Sequence, residues 1–200
     1  SRIRATVRQG RDEMRTLILD WLGGDLSGRR ILDAGCGTGA LAVEAAHRGA
    51  EVVAIDIAAS LVNVAAERAP AELLPRIDFR SGDMLDEALG AFDHVVAMDS
   101  LIHYHAPDIA GVAAKLAART RRSMVLTFAP RTPALTLMHA AGQLFPRSDR
   151  SPAIEPVSET RLRRLLAEGV AGFAPRRTQR IQRGFYTSQA IEVVREGGAA

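Results

Sequence analysis

The sequence predicts an α/β fold in which an open, mostly parallel sheet carries helices on both faces. Three observations predict it. Short apolar runs of strand length, at 30–34, 52–56, 77–80, 92–98 and 123–128, alternate with segments of helical spacing. The first run passes through the turn Gly35-Cys36-Gly37-Thr38-Gly39 straight into a helix-forming segment, a strand–turn–helix signature. Two last runs, 173–182 and 184–194, fit a closing antiparallel pair, which makes seven strands with one of them antiparallel.

In chain order, residues 3–24 read as an amphipathic helix. Ile3, Val7, Met14, Leu17, Ile18, Trp21 and Leu22 recur three or four apart among arginines and acids, and Gly23-Gly24 stops the pattern. Strand one at 30–34 leads into a helix at 38–47, closed by Gly49, and strand two follows at 52–56. Ser60 is the expected N-cap of a helix reaching Arg68, with Pro70 and Pro75 marking its exit. Strand three (77–80) is followed by Ser81-Gly82-Asp83-Met84-Leu85, strand four (92–98) by Asp99-Ser100-Leu101-Ile102-His103-Tyr104-His105. A helix at 108–118 and strand five at 123–128 come next. Between strand five and the last helix, at 158–168 with Gly169 expected past its end, an insertion of about 130–156 is expected to overhang the active edge. No internal repeat or second domain is read, so residues 1–200 are expected to form a single domain.

Composition excludes several classes. The chain is 47% hydrophobic, enough for a real core, yet no apolar run approaches a membrane span: the nearest, 52–66, is broken by Asp56 and Asn63. A single cysteine, Cys36, rules out an internal disulfide and a cysteine-based metal site, which suits the reducing cytoplasm. Residues 1–118 carry 12 basic and 17 acidic side chains, residues 119–200 carry 14 and 6. The basic second half could meet an anionic substrate, a nucleic acid or a membrane surface, or be solvated arginines. The chain opens at Ser1 without an initiator methionine or a signal peptide, which points to a native start lying elsewhere.

Gly35, Gly37 and Ala40 satisfy the dinucleotide fingerprint, and that match alone is weak. Asp33 two residues before the first glycine, a third glycine at Gly39, and Asp56 ending the next strand discriminate further. Together they resemble the S-adenosylmethionine (SAM) motif of class I methyltransferases, whose Rossmann-like fold is then implied. The resemblance implies that the turn packs on the methionine portion of SAM and that Asp56, with Ile57 beside it, takes the ribose hydroxyls. A carboxylate suits that task because it accepts two hydrogen bonds at once. It also implies Asp83 as acceptor for the adenine amine, Met84 flanking the ring, and Asp99 at the end of strand four on the cofactor's edge. A nicotinamide or flavin cofactor and a ligand-free turn remain the alternatives.

A narrower resemblance lies in the loop 98–104, the segment Thr127-Phe128-Ala129-Pro130-Arg131-Thr132-Pro133 and the run Leu144-Phe145-Pro146-Arg147-Ser148-Asp149-Arg150-Ser151-Pro152. These look like the magnesium protoporphyrin IX O-methyltransferases of chlorophyll and bacteriochlorophyll biosynthesis. The resemblance implies methyl transfer from SAM to a propionate carboxylate, leaving a methyl ester and S-adenosylhomocysteine (SAH). Magnesium then enters only as part of the porphyrin, and no metal site of the protein's own is expected. It further implies the porphyrin-carrying subunit of magnesium chelatase as a partner, a cytoplasmic enzyme with peripheral contact to the photosynthetic membrane, and no nucleic acid. The family carries an N-terminal arm with an aromatic residue over the site, and no counterpart of it is read here. The alternative is SAM-dependent O- or N-methylation of another small molecule or of RNA.

Such a substrate sets the chemistry. A propionate is ionised at neutral pH, so no strong general base is needed. The step joins an anionic oxygen to a cationic sulfonium, so excluding water and aligning the reacting atoms should supply most of the acceleration. A bidentate arginine on the reacting carboxylate would also stabilise its ground-state charge, whereas a neutral histidine orients it at less cost. His103 is therefore assigned as the catalytic, propionate-positioning residue, with Tyr104 beside it. Arg131, Arg147 and Arg150 are assigned to the other propionate or the rim, and Leu135, Leu137, Met138, Leu144 and Phe145 to an apolar wall; a solvated loop, solvated arginines and ordinary core packing are the plainer readings.

Three rivals are open. An enzyme methylating base amines carries Asn/Asp-Pro-Pro-aromatic after strand four, where this chain has Asp99-Ser100-Leu101-Ile102, and aromatics are only 4%. A dehydrogenase would want a Tyr-x-x-x-Lys pair, but the one lysine, Lys115, has no tyrosine four residues before it. A SAM-binding module without transfer activity is the third.

Overall fold

The structure, a computed structural model, describes residues 2–131 and 154–197. Helix α1 (Arg2–Leu22) ends at Gly23, whose φ of 130° is one a side chain would resist. There follow β1 (Arg30–Ala34), α2 (Ala40–His47), β2 (Glu51–Asp56), α3 (Ala59–Arg68), β3 (Ile77–Ser81), β4 (Phe92–Ala97), α4 (Ala106–Ala117) and β5 (Thr120–Phe128). Helix α5 (Glu159–Gly169) and the strands β6 (Phe173–Arg183) and β7 (Tyr186–Arg195) close the described chain.

The strands form one sheet in the order β3-β2-β1-β4-β5-β7-β6. The first five are parallel neighbours, and β7 runs antiparallel to both β5 and β6. Strand polarity alternation divides the core in two. Leu32, Val53, Val95 and Met124 face α4 and α5 in one apolar cluster. Ile31, Val52, Val96 and Val125 face Met14, Ile18 and Leu19 of α1, together with α2 and Val62 of α3, in the other. Burial on both faces is why β1, β2, β4 and β5 read as near-continuous apolar runs rather than alternating ones. Reversal of strand order between β1 and its two neighbours, β2 and β4, opens a crevice at the carboxyl ends of these strands.

Three expected boundaries are corrected. Ser60 does not cap α3: the N-cap is Ala58, without a side-chain bond, and the helix has already begun at Ala59. The Asp56 carboxylate accepts the N–H of the N-cap residue Ala58 at 2.9 Å, an Asx-type turn that sets the chain's entry into α3. Gly169 is the last residue of α5 rather than the one beyond it. Strand β5 also starts three residues earlier than the apolar run: buried Thr120 pairs with Phe92 of β4, and the exposed Arg121 and Arg122 fall at the register shift that follows.

The chain leaves β5 and comes back beside it. Arg131 N–H donates to Val157 O at 2.9 Å, Val157 N–H to Ala129 O at 2.8 Å, and Pro130 and Val157 form a parallel bridge. The insertion thus departs from and returns to the carboxyl end of β5. Its middle, with Arg147, Arg150, His139 and the apolar segment 134–145, lies outside the described residues.

Candidate functional site

A cleft of about 800 Å³ opens at the carboxyl ends of β1, β2 and β4. Asp33, Gly35, Gly37, Asp56, Ile57, Asp83, Met84, Asp99, His103 and Tyr104 all line it, so the structure brings ten of the sequence-assigned residues to one place. Gly39 lies just beneath as the left-handed N-cap of α2, and Arg131 sits exposed at the base of the insertion, away from the cleft wall.

The glycine turn is shaped by two different constraints. At Gly35, with φ 87°, an added Cβ would fall 2.3 Å from Cβ of Ser100, so a side chain there would push the β4 loop away. At Gly37, with φ 53°, an added Cβ would meet nothing within 4 Å. The space before Gly37 is open cleft, where a ligand can lie against bare backbone. Asp56 braces this turn by accepting the Gly37 N–H at 2.9 Å with one oxygen while the other takes Ala58. Cys36 is an inert filler: burial first, then the Asp33 and Asp56 charges, push its thiol up to about 12.

Asp33 is the most informative side chain. It is 2% exposed, and its Oδ2 is buried with no hydrogen-bond partner among the described residues. Burial, aided by the Asp56 charge and opposed by the Ala42 N–H, holds its carboxyl up to about 7. An acceptor left unmet at the wall of a cleft fits a cationic donor brought by a ligand. At the opposite end, Ile57 is 86% exposed beside Asp56, an apolar side chain with nothing over it. Asp83 is tied by its Oδ1 to the Leu85 N–H at 2.8 Å, with Met84 half-buried between them.

Electrostatics separate the candidate ligands. Four aspartates, Asp33, Asp56, Asp83 and Asp99, and two arginines, Arg11 and Arg15, line the cleft. A pyrophosphate, carrying two negative charges against that acidic wall, is disfavoured; a sulfonium with an amino-acid end and a ribose is matched.

The loop after β4 is pinned from several sides. Asp99 has φ 54°, strained for a non-glycine residue, and is held by its N–H on Thr127 Oγ1 at 2.7 Å. Its carboxylate accepts the hydroxyls of Tyr186 and Ser188, each at 3.2 Å, and of Thr127 at 3.3 Å, and pairs with Arg11 Nε at 3.3 Å. Ser100 Oγ donates to Ala34 O at 2.8 Å, Leu101 is fully buried, and Glu155 N–H donates to Ile102 O at 2.9 Å. His105 Nδ1 lies 3.2 Å from Glu155 Oε1. His103, half-buried, sits on the turn between these anchors, and Tyr104 next to it is 40% exposed.

A family model described as the C-terminus of magnesium-protoporphyrin IX methyltransferase matches residues 97–195, and a general methyltransferase-domain model matches 31–123. The magnesium-protoporphyrin O-methyltransferase of Rhodobacter capsulatus is 49% identical over 96% of this chain and 84% of its own length. The chain belongs to the magnesium-protoporphyrin O-methyltransferase family. Crystal structures of magnesium protoporphyrin IX methyltransferase from Synechocystis agree. The form with bound SAH superposes with a TM-score of 0.83 at 31% identity, covering 97% of this chain and 87% of that one. The form with bound SAM gives 0.75 at 28%, covering 97% and 82%. The seven-stranded sheet with its single antiparallel strand is the class I methyltransferase fold that the sequence predicted.

Within this family member, sequence reasoning missed two things. Arg11 and Arg15 of α1 line the cleft, and Tyr186 and Ser188 of β7 hold Asp99. The i, i+4 arginine pair on the polar side of an amphipathic helix was the available signal for the first. Nothing local signals the second, since Tyr186 lies 87 residues from Asp99 in sequence. Among the described residues no cluster of three or more His, Cys, Asp or Glu side chains could hold a metal ion.

Proposed function

We propose that this chain transfers the methyl group of SAM to a propionate carboxylate of magnesium protoporphyrin IX, leaving the monomethyl ester and SAH, a step of chlorophyll and bacteriochlorophyll biosynthesis. The observation that carries the reading is the buried, unpartnered Asp33 oxygen in an acidic cleft beside the bare Gly37 backbone, in a chain of this family. When bound, SAM supplies a methyl group made electrophilic by its sulfonium.

The chain's own residues then have these tasks. Asp33 takes the α-ammonium through its unmet oxygen. Asp56 accepts the ribose hydroxyls on lone pairs left after Gly37 and Ala58. Ile57 and Met84 cover the adenine, and Asp83 accepts its amine. His103 orients the propionate as a neutral hydrogen-bond partner, on a loop whose many anchors keep that orientation narrow. Arg131, Arg147 and Arg150 meet the second propionate or the rim. The enzyme works in the cytoplasm, receives its porphyrin from the porphyrin-carrying subunit of magnesium chelatase, and touches the photosynthetic membrane peripherally. The poor solubility of a flat apolar macrocycle and the basic excess of residues 119–200 support that. Among the described residues no helix is long and apolar enough to cross a membrane.

The test is incubation with methyl-labelled SAM and magnesium protoporphyrin IX, which should yield a labelled, base-labile ester. His103→Ala is expected to lower turnover by about tenfold to a hundredfold and leave SAH affinity in place. Unchanged turnover would end the role of His103, and no ester from the wild type would end the reading as a whole.

A further inference from the structure

We propose that Arg11 is a carboxylate receptor of the cleft, a positioning residue for a ligand carboxylate that does not react. The inference rests on the reading above of SAM and a porphyrin diacid as the ligands.

Both ligands bring a carboxylate that must not react. SAM carries one next to the α-ammonium, and the porphyrin keeps its second propionate. Each needs a cation, and an acidic cleft makes the need stronger, because four aspartates would otherwise repel the incoming charge. Among the described residues the permanently cationic side chains lining the cleft are Arg11 and Arg15, one turn apart on α1.

The two differ in how much of their hydrogen-bonding capacity is taken. Arg15 is 21% exposed and donates through Nη2 to Asp12 Oδ1 at 2.8 Å. Arg11 comes nearest to Asp99 with Nε, at 3.3 Å, and its two Nη groups make no hydrogen bond among the described residues. A guanidinium held by Nε with both Nη groups idle offers part of its planar fork to a carboxylate. Its side chain is 57% exposed, so it can reach into the cleft without first being dug out of the core.

Asp99 explains why Arg11 is free to turn. That carboxylate already accepts the hydroxyls of Tyr186, Ser188 and Thr127, so moving Arg11 away leaves it hydrogen-bonded rather than bare. Helix α1 is also held close at this point: an added Cβ on Gly10, next to Arg11, would lie 2.3 Å from Tyr186 Cδ1. The same tyrosine thus fixes the helix that presents Arg11 and the acid on which it rests.

The experiment compares wild type, Arg11→Gln and Arg11→Lys by calorimetry with SAH and with methylthioadenosine, which keeps the nucleoside and lacks the amino acid, and by steady-state kinetics with the porphyrin diacid. Thermal melts of all three proteins check folding. If the carboxylate is the donor's, Arg11→Gln weakens SAH about tenfold to a hundredfold and leaves methylthioadenosine unchanged, with Arg11→Lys in between. If it is the second propionate, SAH affinity holds and the porphyrin KM rises by a similar factor. Equal loss for SAH and methylthioadenosine, or no change in either SAH affinity or porphyrin KM, overturns the proposal. Failure of the wild type itself to bind SAH would overturn the underlying SAM reading instead.

Discussion

Replacing Asp56 with alanine is expected to weaken SAH binding by about a thousandfold. Two charge-assisted hydrogen bonds to ribose hydroxyls, at about 1.5–3 kcal/mol each, correspond to a factor on the order of 10² to 10⁴. The structure adds a second route to the same loss. The carboxylate oxygens of Asp56 also accept the Gly37 and Ala58 N–H groups at 2.9 Å each, so alanine leaves two backbone donors without partners and loosens the turn the methionine portion rests on. Asp56→Asn separates the routes. It keeps one acceptor oxygen, so it should preserve part of the turn's bracing while losing the charge that strengthens the ribose contacts. Calorimetry with SAH, beside melts of each variant, makes the comparison. An alanine variant that binds SAH within tenfold of wild type would show that the ribose is held elsewhere.

How much of this was legible in the sequence depends on the range of each interaction. The strands were readable because two-sided burial makes them apolar runs with polar ends, and β1 falls at 30–34 in both readings. The glycine turn was readable because its steric demands are local, and Asp33 and Asp56 stand at fixed offsets from it. Ser60 does not cap because the helix begins one residue earlier, at Ala59, behind the turn that Asp56 makes with the Ala58 N–H, so a serine favoured by propensity falls inside the first turn. The network around Asp99 was not readable at all. Its hydroxyl donors lie on β5 and β7, and only the antiparallel return of β7 against β5 carries Tyr186 and Ser188 to the end of β4. Asp99 was assigned to the cofactor from its position alone; the structure keeps it at the cleft and adds that much of its carboxylate serves to hold the loop and Arg11. Arg11 itself was hidden because an arginine on an amphipathic helix reads as solvated charge until the helix is seen lying across the ligand edge.

Asp33→Asn is expected to make the protein more stable and a worse binder at once. In the unfolded chain the carboxyl ionises near 3.8; in the fold, burial above all holds the proton up to about 7. Between those values the folded chain retains a proton that the unfolded chain has lost, so stability falls as pH rises through that window. By pH 8 both states are ionised, and the folded state carries a buried carboxylate costing about 4 kcal/mol, while at pH 5 the cost is about 2 kcal/mol. Asparagine carries no charge, so its thermal midpoint should exceed the wild type's at pH 8, and the gap should shrink to about half by pH 5. The donor's ammonium reverses the balance, because it pairs with the carboxylate that burial penalises. SAH should therefore bind the ionised form, release a proton on binding at pH 6, and lose affinity as pH falls below 7, by up to about tenfold per unit. Calorimetry in two buffers of different ionisation heat reads the proton directly. Asparagine should abolish both the proton release and that pH dependence, at a cost of about tenfold to a hundredfold in affinity at pH 8. An acid kept at a stability penalty where asparagine would serve the fold better is what a binding site does when its ligand supplies the missing charge. A wild type that binds SAH equally at pH 5.5 and pH 7.5, with no proton released, would remove Asp33 from the site.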